Sequence, residues 1–249
     1  VKPVIFTLVN TEWAFSAIFK ETDMVPTMLL VADGSHDPQR REALGDLAEA
    51  IASRGEAPVV TAFGSDTDLK TAVEALEGPL VAVPAFLAGG DHASSELFAG
   101  LNLADRFDAC ATAPLGAVPS IVANLAVRLE QAGWRPGDGV VLAADGIRDQ
   151  DERQQVAAVA RMLSRRVHSP VQVGHLGTWA PSVSDAVARL RRNGNPRVAV
   201  AAWRLVDGAD GERLRELDAT AVTAPLWPSD VVVDTLLAQH RAATSRLAA

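Results

Sequence analysis

The chain repeats itself. Leu29-Leu30-Val31-Ala32-Asp33-Gly34-Ser35-His36-Asp37 returns as Val141-Leu142-Ala143-Ala144-Asp145-Gly146-Ile147-Arg148-Asp149, 112 positions on. The apolar helical pattern that follows, Leu44, Leu47, Ala48 and Ile51, returns at the same offset as Val156, Val159, Ala160 and Leu163. Val81-Ala82-Val83 matches Val198-Ala199-Val200 at an offset of 117, and Thr112-Ala113-Pro114-Leu115 matches Thr223-Ala224-Pro225-Leu226 at 111. Four landmarks in one order at nearly one offset define two copies of a unit, each long enough to be a small domain. Duplication places a ligand site in the cleft between copies, and differences between the copies mark which half keeps the chemistry.

Short apolar runs alternate with helical patterns in both copies. The predicted strands are Thr27–Ala32, Pro58–Ala62, Leu80–Ala85 and Asp108–Ala111 in the first, and Gly139–Ala144, Val171–His175, Arg197–Ala202 and Ala219–Thr223 in the second. Asp37-Pro38 is an N-cap with proline at the first helical position, and Asp66 or Asp68, Ser182 and Ser229 are caps for later helices. This alternation predicts an α/β fold of two tandem, similar βαβ domains with parallel sheets covered by helices on both faces. Ligands then bind outside the carboxyl ends of the strands, in the cleft between domains. Repeat 1 spans 27–134 and repeat 2 spans 139–249, joined by the turn-rich Ala132–Gly139 stretch. Residues 1–26 read as an N-terminal extension outside the repeat, and Met24 within it is a candidate start.

Composition narrows the function. With 249 residues and 48% hydrophobic content the chain buries ordinary cores without staples. One cysteine, Cys110, sits in an apolar run and reads as a core thiol; with no intrachain partner it suits a reducing, cytoplasmic compartment. A net charge of −8 and the lack of a dense Lys/Arg tract argue against nucleic acid. Val4–Phe19 is short for a membrane span, interrupted by Asn10 and Glu12, and lacks a signal-peptide cleavage pattern. No Gly-x-Gly-x-x-Gly or Gly-x-x-x-x-Gly-Lys motif for a nucleotide occurs, and Ser35 lacks a nucleophile elbow.

Two segments stand where chemistry is expected. Asp33-Gly34-Ser35-His36-Asp37-Pro38 leaves a strand and enters a capped helix, so it reads either as a ligand loop or as a turn eased by Gly34. Gly89-Gly90-Asp91-His92, followed by Ser94, Ser95 and Glu96, opens a helix after the third strand; His92 and Glu96 share one helix face. An imidazole beside a carboxylate holds a divalent metal or moves a proton near neutral pH, the alternative being a solvated histidine at a helix start. The second copy lacks the pair. His168, His175 and His240 read as structural or exposed, and Trp179, Trp203 and Trp227 as core or cleft-lining residues.

In order, strand, small-x-Gly-Ser-x-Asp-Pro and long helix; Val-x-Val-Pro-x-Phe-Leu-x-x-Gly-x-His-x-x-x-acid; and Thr-Ala-Pro-Leu-Gly at Thr112–Gly116 resemble the class II tetrapyrrole chelatases. The resemblance is to the CbiX/SirB-type sirohydrochlorin chelatases in their long, duplicated form, over residues 27–246. It implies insertion of Co²⁺ or Fe²⁺ into sirohydrochlorin in cobalamin or sirohaem synthesis, with the metal as substrate and no permanently bound cofactor. It implies a sirohydrochlorin-like tetrapyrrole as partner and a monomer that holds both halves in one chain. On that resemblance His92 and Glu96 are catalytic, His92 and Asp33 are metal ligands, and Ser35, His36, Thr112, Arg148 and Arg204 face the substrate. The departure is Asp33, which stands where the family has its first histidine. The alternative is a degenerate, non-catalytic relative that binds a tetrapyrrole or a metal. A two-lobed binding protein fits less well, because the copies follow in tandem with one linker.

Overall fold

The computed structural model describes residues 25–34 and 36–247; Met24, the segment before it and Ser35 lie outside the described residues. In the first half β1 (Thr27–Ala32), α1 (Pro38–Ala52), β2 (Val59–Phe63), α2 (Asp66–Ala75), β3 (Leu80–Pro84), α3 (His92–Ala99), β4 (Ala109–Ala111) and α4 (Pro119–Gln131) alternate. The second half repeats the order with β5 (Gly139–Ala144), α5 (Gln150–Val167), β6 (Val171–His175), α6 (Val183–Arg192), β7 (Val198–Ala202), α7 (Ala209–Arg215), β8 (Ala221–Val222) and α8 (Asp230–Leu247). Each half forms a four-stranded sheet, β2-β1-β3-β4 and β6-β5-β7-β8, and every pairing is parallel. The fold is the tandem α/β arrangement predicted from the repeat.

Period-two alternation sorts each strand between two faces. Met28, Leu30 and Ala32 of β1 and Val140, Leu142 and Ala144 of β5 belong to one core shared by both halves. Leu29 and Val31 face a separate core under α2 and α3, while Val141 and Ala143 face one under α6 and α7. The shared core exists because the last helix of each half crosses over. Helix α4 packs on β7 of the second sheet, and α8 packs on β3 and β4 of the first. Packing therefore crosses the 134/139 sequence boundary.

The register corrects one offset. Thr27 pairs with Leu80 and Gly139 with Val198, so the third strands correspond at 118 positions, not 117. Val81 and Val83 share the common core with Ala199 and Ala201, whereas Val198 and Val200 face the other way. A run of alternating Val and Ala fits equally well at either offset, and a one-residue slip exchanges the two faces. The corrected match sets Pro84 against Ala202. In the second half Ala202 N–H donates to Thr223 Oγ1 at 2.9 Å. Pro84 has no N–H, and buried Thr112 Oγ1 is left without a hydrogen-bond partner among the described residues. Thr112→Val is expected to raise stability by about 1 kcal/mol and Thr223→Val to lower it by about 1 kcal/mol, read from denaturant midpoints.

Other local expectations are refined. Ser65, not Asp66 or Asp68, caps α2, with Asp68 closing the capping box. Ser182 caps α6, but the Ser229 hydroxyl accepts from the Asn124 amide at 2.9 Å across the seam. Cys110 packs against the shared core, and burial pushes its thiol pKa up. His240 is buried on α8, where Nε2 meets Pro26 O at 2.9 Å. Burial pulls the pKa of His240 and of His175 below the usual imidazole value, in His175 with help from Arg153. The unfolded chain therefore binds protons at a pH where these folded residues do not. Stability from this source is held above about pH 6.5 and lost as pH falls below it. The melting temperature should drop between pH 7.5 and 5.5, and less so in His240→Gln.

Candidate active site at the seam

The carboxyl ends of β1, β3, β5 and β7 meet at the seam between the halves, and α3 carries the chemistry there. The α3 N-terminus is capped twice. Asp91 accepts Ser94 N–H at 3.0 Å, and Asp145 from the other half accepts His92 N–H at 2.9 Å through Oδ2. Two carboxylates at the positive end of a helix fix its first turn. His92 Nε2 then lies 3.2 Å from Glu96 Oε1, one turn on. His92 Nδ1 is buried without a hydrogen-bond partner among the described residues. The imidazole lies against Gly146, where an added Cβ would come within 3.2 Å of the ring; glycine makes room for it. At the next contact a Cβ on Gly90 would stand 2.5 Å from Trp203 O, so these backbones approach as only glycine permits. Trp203 is fully buried and donates from Nε1 to Ala88 O at 2.8 Å, which makes it a post between the halves and not a cleft wall.

Behind α3 lies a buried polar cluster. Ser94 Oγ accepts Asp33 N–H at 2.8 Å and Arg40 Nη2 at 3.2 Å, and donates to Asp91 Oδ2 at 2.5 Å. Arg40 also pairs directly with Asp91, both side chains being largely buried. Burial first, and then facing Arg204, lower the Arg40 pKa, against the pull of Asp33, Asp37 and Asp145. The strand end that carries Asp33 is thus tied to α3, with a guanidinium among its carboxylates.

The expected site residues fall in distinct places. Asp33, His36 and Arg204 line a seam cavity of about 140 Å³ together with Asp37, Arg40 and Asp91. Arg148 lines a second seam cavity of about 500 Å³, opposite Ala113–Val118. Arg148 pairs with Asp149, and its Nε donates to Ser95 Oγ at 3.3 Å. Buried Glu152 accepts Arg148 N–H at 2.7 Å and the Ser95 hydroxyl. Thr112 lines neither cavity. Among the described residues no group of three or more His, Cys, Asp or Glu side chains is gathered around a metal position. His92 and Glu96 are brought together. Asp33 lines the smaller cavity and His92 does not, and Arg148 and Arg204 line different cavities.

Sequence reasoning missed Arg40, Asp91, Ser94, Asp145 and Glu152. Asp91-x-x-Ser94 is a legible N-cap, and Asp145 is legible as the repeat partner of Asp33. The exchange between them, in which the second copy's aspartate caps the first copy's helix, exists only in three dimensions.

A duplicated parallel α/β fold with a histidine–carboxylate pair on the helix after its third strand is the architecture of a class II chelatase. The CbiX family model matches residues 27–132 and again 139–242, and the chain belongs to the CbiX family. Solved structures share the fold. SirB from Bacillus subtilis with Fe³⁺ is similar at a TM-score of 0.68 and 17% identity, covering 90% of this chain and 97% of that one. The sirohydrochlorin chelatase SirB from Bacillus subtilis subspecies spizizenii in complex with cobalt gives 0.65 and 15%, with the same coverage. DR2241 from Deinococcus radiodurans, a multi-domain protein with structural similarity to chelatases, gives 0.57 and 19%, covering 87% of this chain and 54% of that one. No curated protein matches the chain. No described helix is long and apolar enough to cross a membrane.

Proposed function

We propose that the chain is a sirohydrochlorin chelatase, inserting Co²⁺ or Fe²⁺ into a sirohydrochlorin-type tetrapyrrole in cobalamin or sirohaem synthesis. The observation that carries this reading is the His92–Glu96 pair, held by Asp91 and Asp145 at the seam of a chain of the CbiX family. Insertion requires a donor that hands the ion to the macrocycle and a base that takes the pyrrole protons. His92 Nε2 offers its lone pair to the incoming ion, and as the ion passes to the macrocycle the two displaced pyrrole protons are taken up one by His92 and one by Glu96, 3.2 Å away. Asp33 is a second, oxygen ligand, and His36, at the rim of the same cavity, supports the missing imidazole. The 140 Å³ cavity suits an ion or one substituent, while the 500 Å³ groove suits an edge of the macrocycle. The protein acts as a cytoplasmic monomer without an organic cofactor, since one chain supplies both walls of the seam.

One observation favours the alternative, a relative that binds the pigment without inserting metal: Arg40 is seated among the carboxylates beside Asp33. The Asp33→His protein separates the two. A chelatase with a weakened metal site gains insertion rate severalfold when the histidine is restored. A binding protein shifts the pigment spectrum in both forms and inserts metal in neither.

A further inference from the structure

The two copies part at the carboxyl end of their second strands. Two residues, Gly64 and Ser65, join β2 to α2, whereas seven, Leu176 to Ser182, join β6 to α6. Two suffice for the connection, so the fold does not require the longer loop. That loop is held in shape at its base. His175 N–H donates to Pro181 O at 2.9 Å, Leu176 N–H to Ala144 O at 3.0 Å and Gly177 N–H to Asp145 O at 3.5 Å. The residues from Gly177 to Ala180 are exposed, and Trp179 stands 41% exposed while Trp134 and Trp203 are buried. The loop is continuous with the active site, because the Asp145 that anchors it also accepts the His92 N–H. Beside it lies a cation. Arg153 is exposed on α5, which packs on β6, and it acts on buried His175 at the base of the loop. Its counterpart in the first copy, Arg41, donates from Nε to Gly34 O at 3.3 Å. No side-chain hydrogen bond or ion pair joins Arg153 to another described residue.

Taking the tetrapyrrole reading as its basis, we infer that Trp179 and Arg153 form an outer lip of the active site that receives the macrocycle, the indole against its face and the guanidinium on a peripheral carboxylate. The two groups match the chemistry of the pigment. A tetrapyrrole with acid side chains is a broad π surface edged by carboxylates, and it calls for an apolar plate with a cation at its rim. An indole supplies a large, rigid contact area at small cost in conformational freedom. Exposed in the free protein, it gains burial when the pigment covers it. Arg153 gives up no ion pair when a carboxylate docks, whereas Arg148 must first leave Asp149. The two halves then divide the work: α3 of the first brings His92 to the metal, and the β6–α6 loop of the second holds the pigment.

The test is sirohydrochlorin binding to the full chain and its variants, followed by the absorbance of the pigment. Trp179→Ala should weaken binding about tenfold, and Trp179→Phe only about twofold, because the smaller ring keeps the plate. Arg153→Gln should weaken binding severalfold at 20 mM salt and less at 200 mM, where the ion pair is screened. Both side chains are exposed, so the melting temperature should hardly move in any of the three. If the unaltered chain binds the pigment and either Trp179→Ala or Arg153→Gln binds it within twofold as tightly at 20 mM salt, the inference is overturned and the tetrapyrrole reading stands. If the unaltered chain binds no pigment, the tetrapyrrole reading fails and the inference falls with it.

Discussion

His92→Ala is expected to lower the rate of metal insertion at least 100-fold while leaving the far-ultraviolet circular dichroism and the melting temperature nearly unchanged. The size follows from the double role of the side chain, since removal of a positioned general base alone costs about 10²–10⁴ in rate. The structural innocence follows from its placement. The helix holds through the backbone N–H groups of His92 and Ser94, which an alanine keeps, and the imidazole itself is partly exposed. Glu96→Gln should cost less, about tenfold, because the pair then keeps a hydrogen bond and loses only the charge that receives the proton. Insertion at the normal rate in His92→Ala, with fold intact, would remove His92 from the chemistry.

The second large effect is on stability. Arg40→Met leaves the buried Asp91 carboxylate without its charge partner, and breaking one side of such a pair costs about 3–5 kcal/mol. For a chain of this length that is a fall in melting temperature of roughly 6–20 °C. The double variant Arg40→Met, Asp91→Asn should recover most of the loss, because the amide still caps α3 and no bare charge is left behind. A double variant no more stable than Arg40→Met would show that the guanidinium acts through Asp33 or Asp37 instead. The linkage to function is direct: Asp91 caps the helix that carries His92, so Arg40→Met should also loosen the His92–Glu96 pair.

Much of the fold was legible because a repeat constrains more than local propensity does. β1, β5 and β6 lie where the apolar runs predicted them, and the other strands differ by one or two residues at their ends. The 117 offset failed for a physical reason, since alternating Val and Ala carry no register. The crossing of α4 and α8 was illegible because an amphipathic helix shows that it has an apolar face and not which sheet receives it. In the site, His92 and Glu96 were legible through helical spacing. Arg40 was not, because an arginine in a helix's first turn ordinarily points to solvent, and only the approach of α3 to β1 turns it into a buried partner for Asp91. Trp203 had equal claims as core and as cleft lining, and the close contact at Gly90 decided it.

The most direct measurement is the anaerobic rate at which the purified chain converts sirohydrochlorin to its metallated form with Co²⁺ or Fe²⁺, followed by absorbance beside a protein-free control. A rate well above the spontaneous one, proportional to protein concentration, is the predicted result. A rate equal to the control, at protein concentrations where the pigment spectrum shows it to be bound, would contradict the assignment of insertion chemistry to this seam.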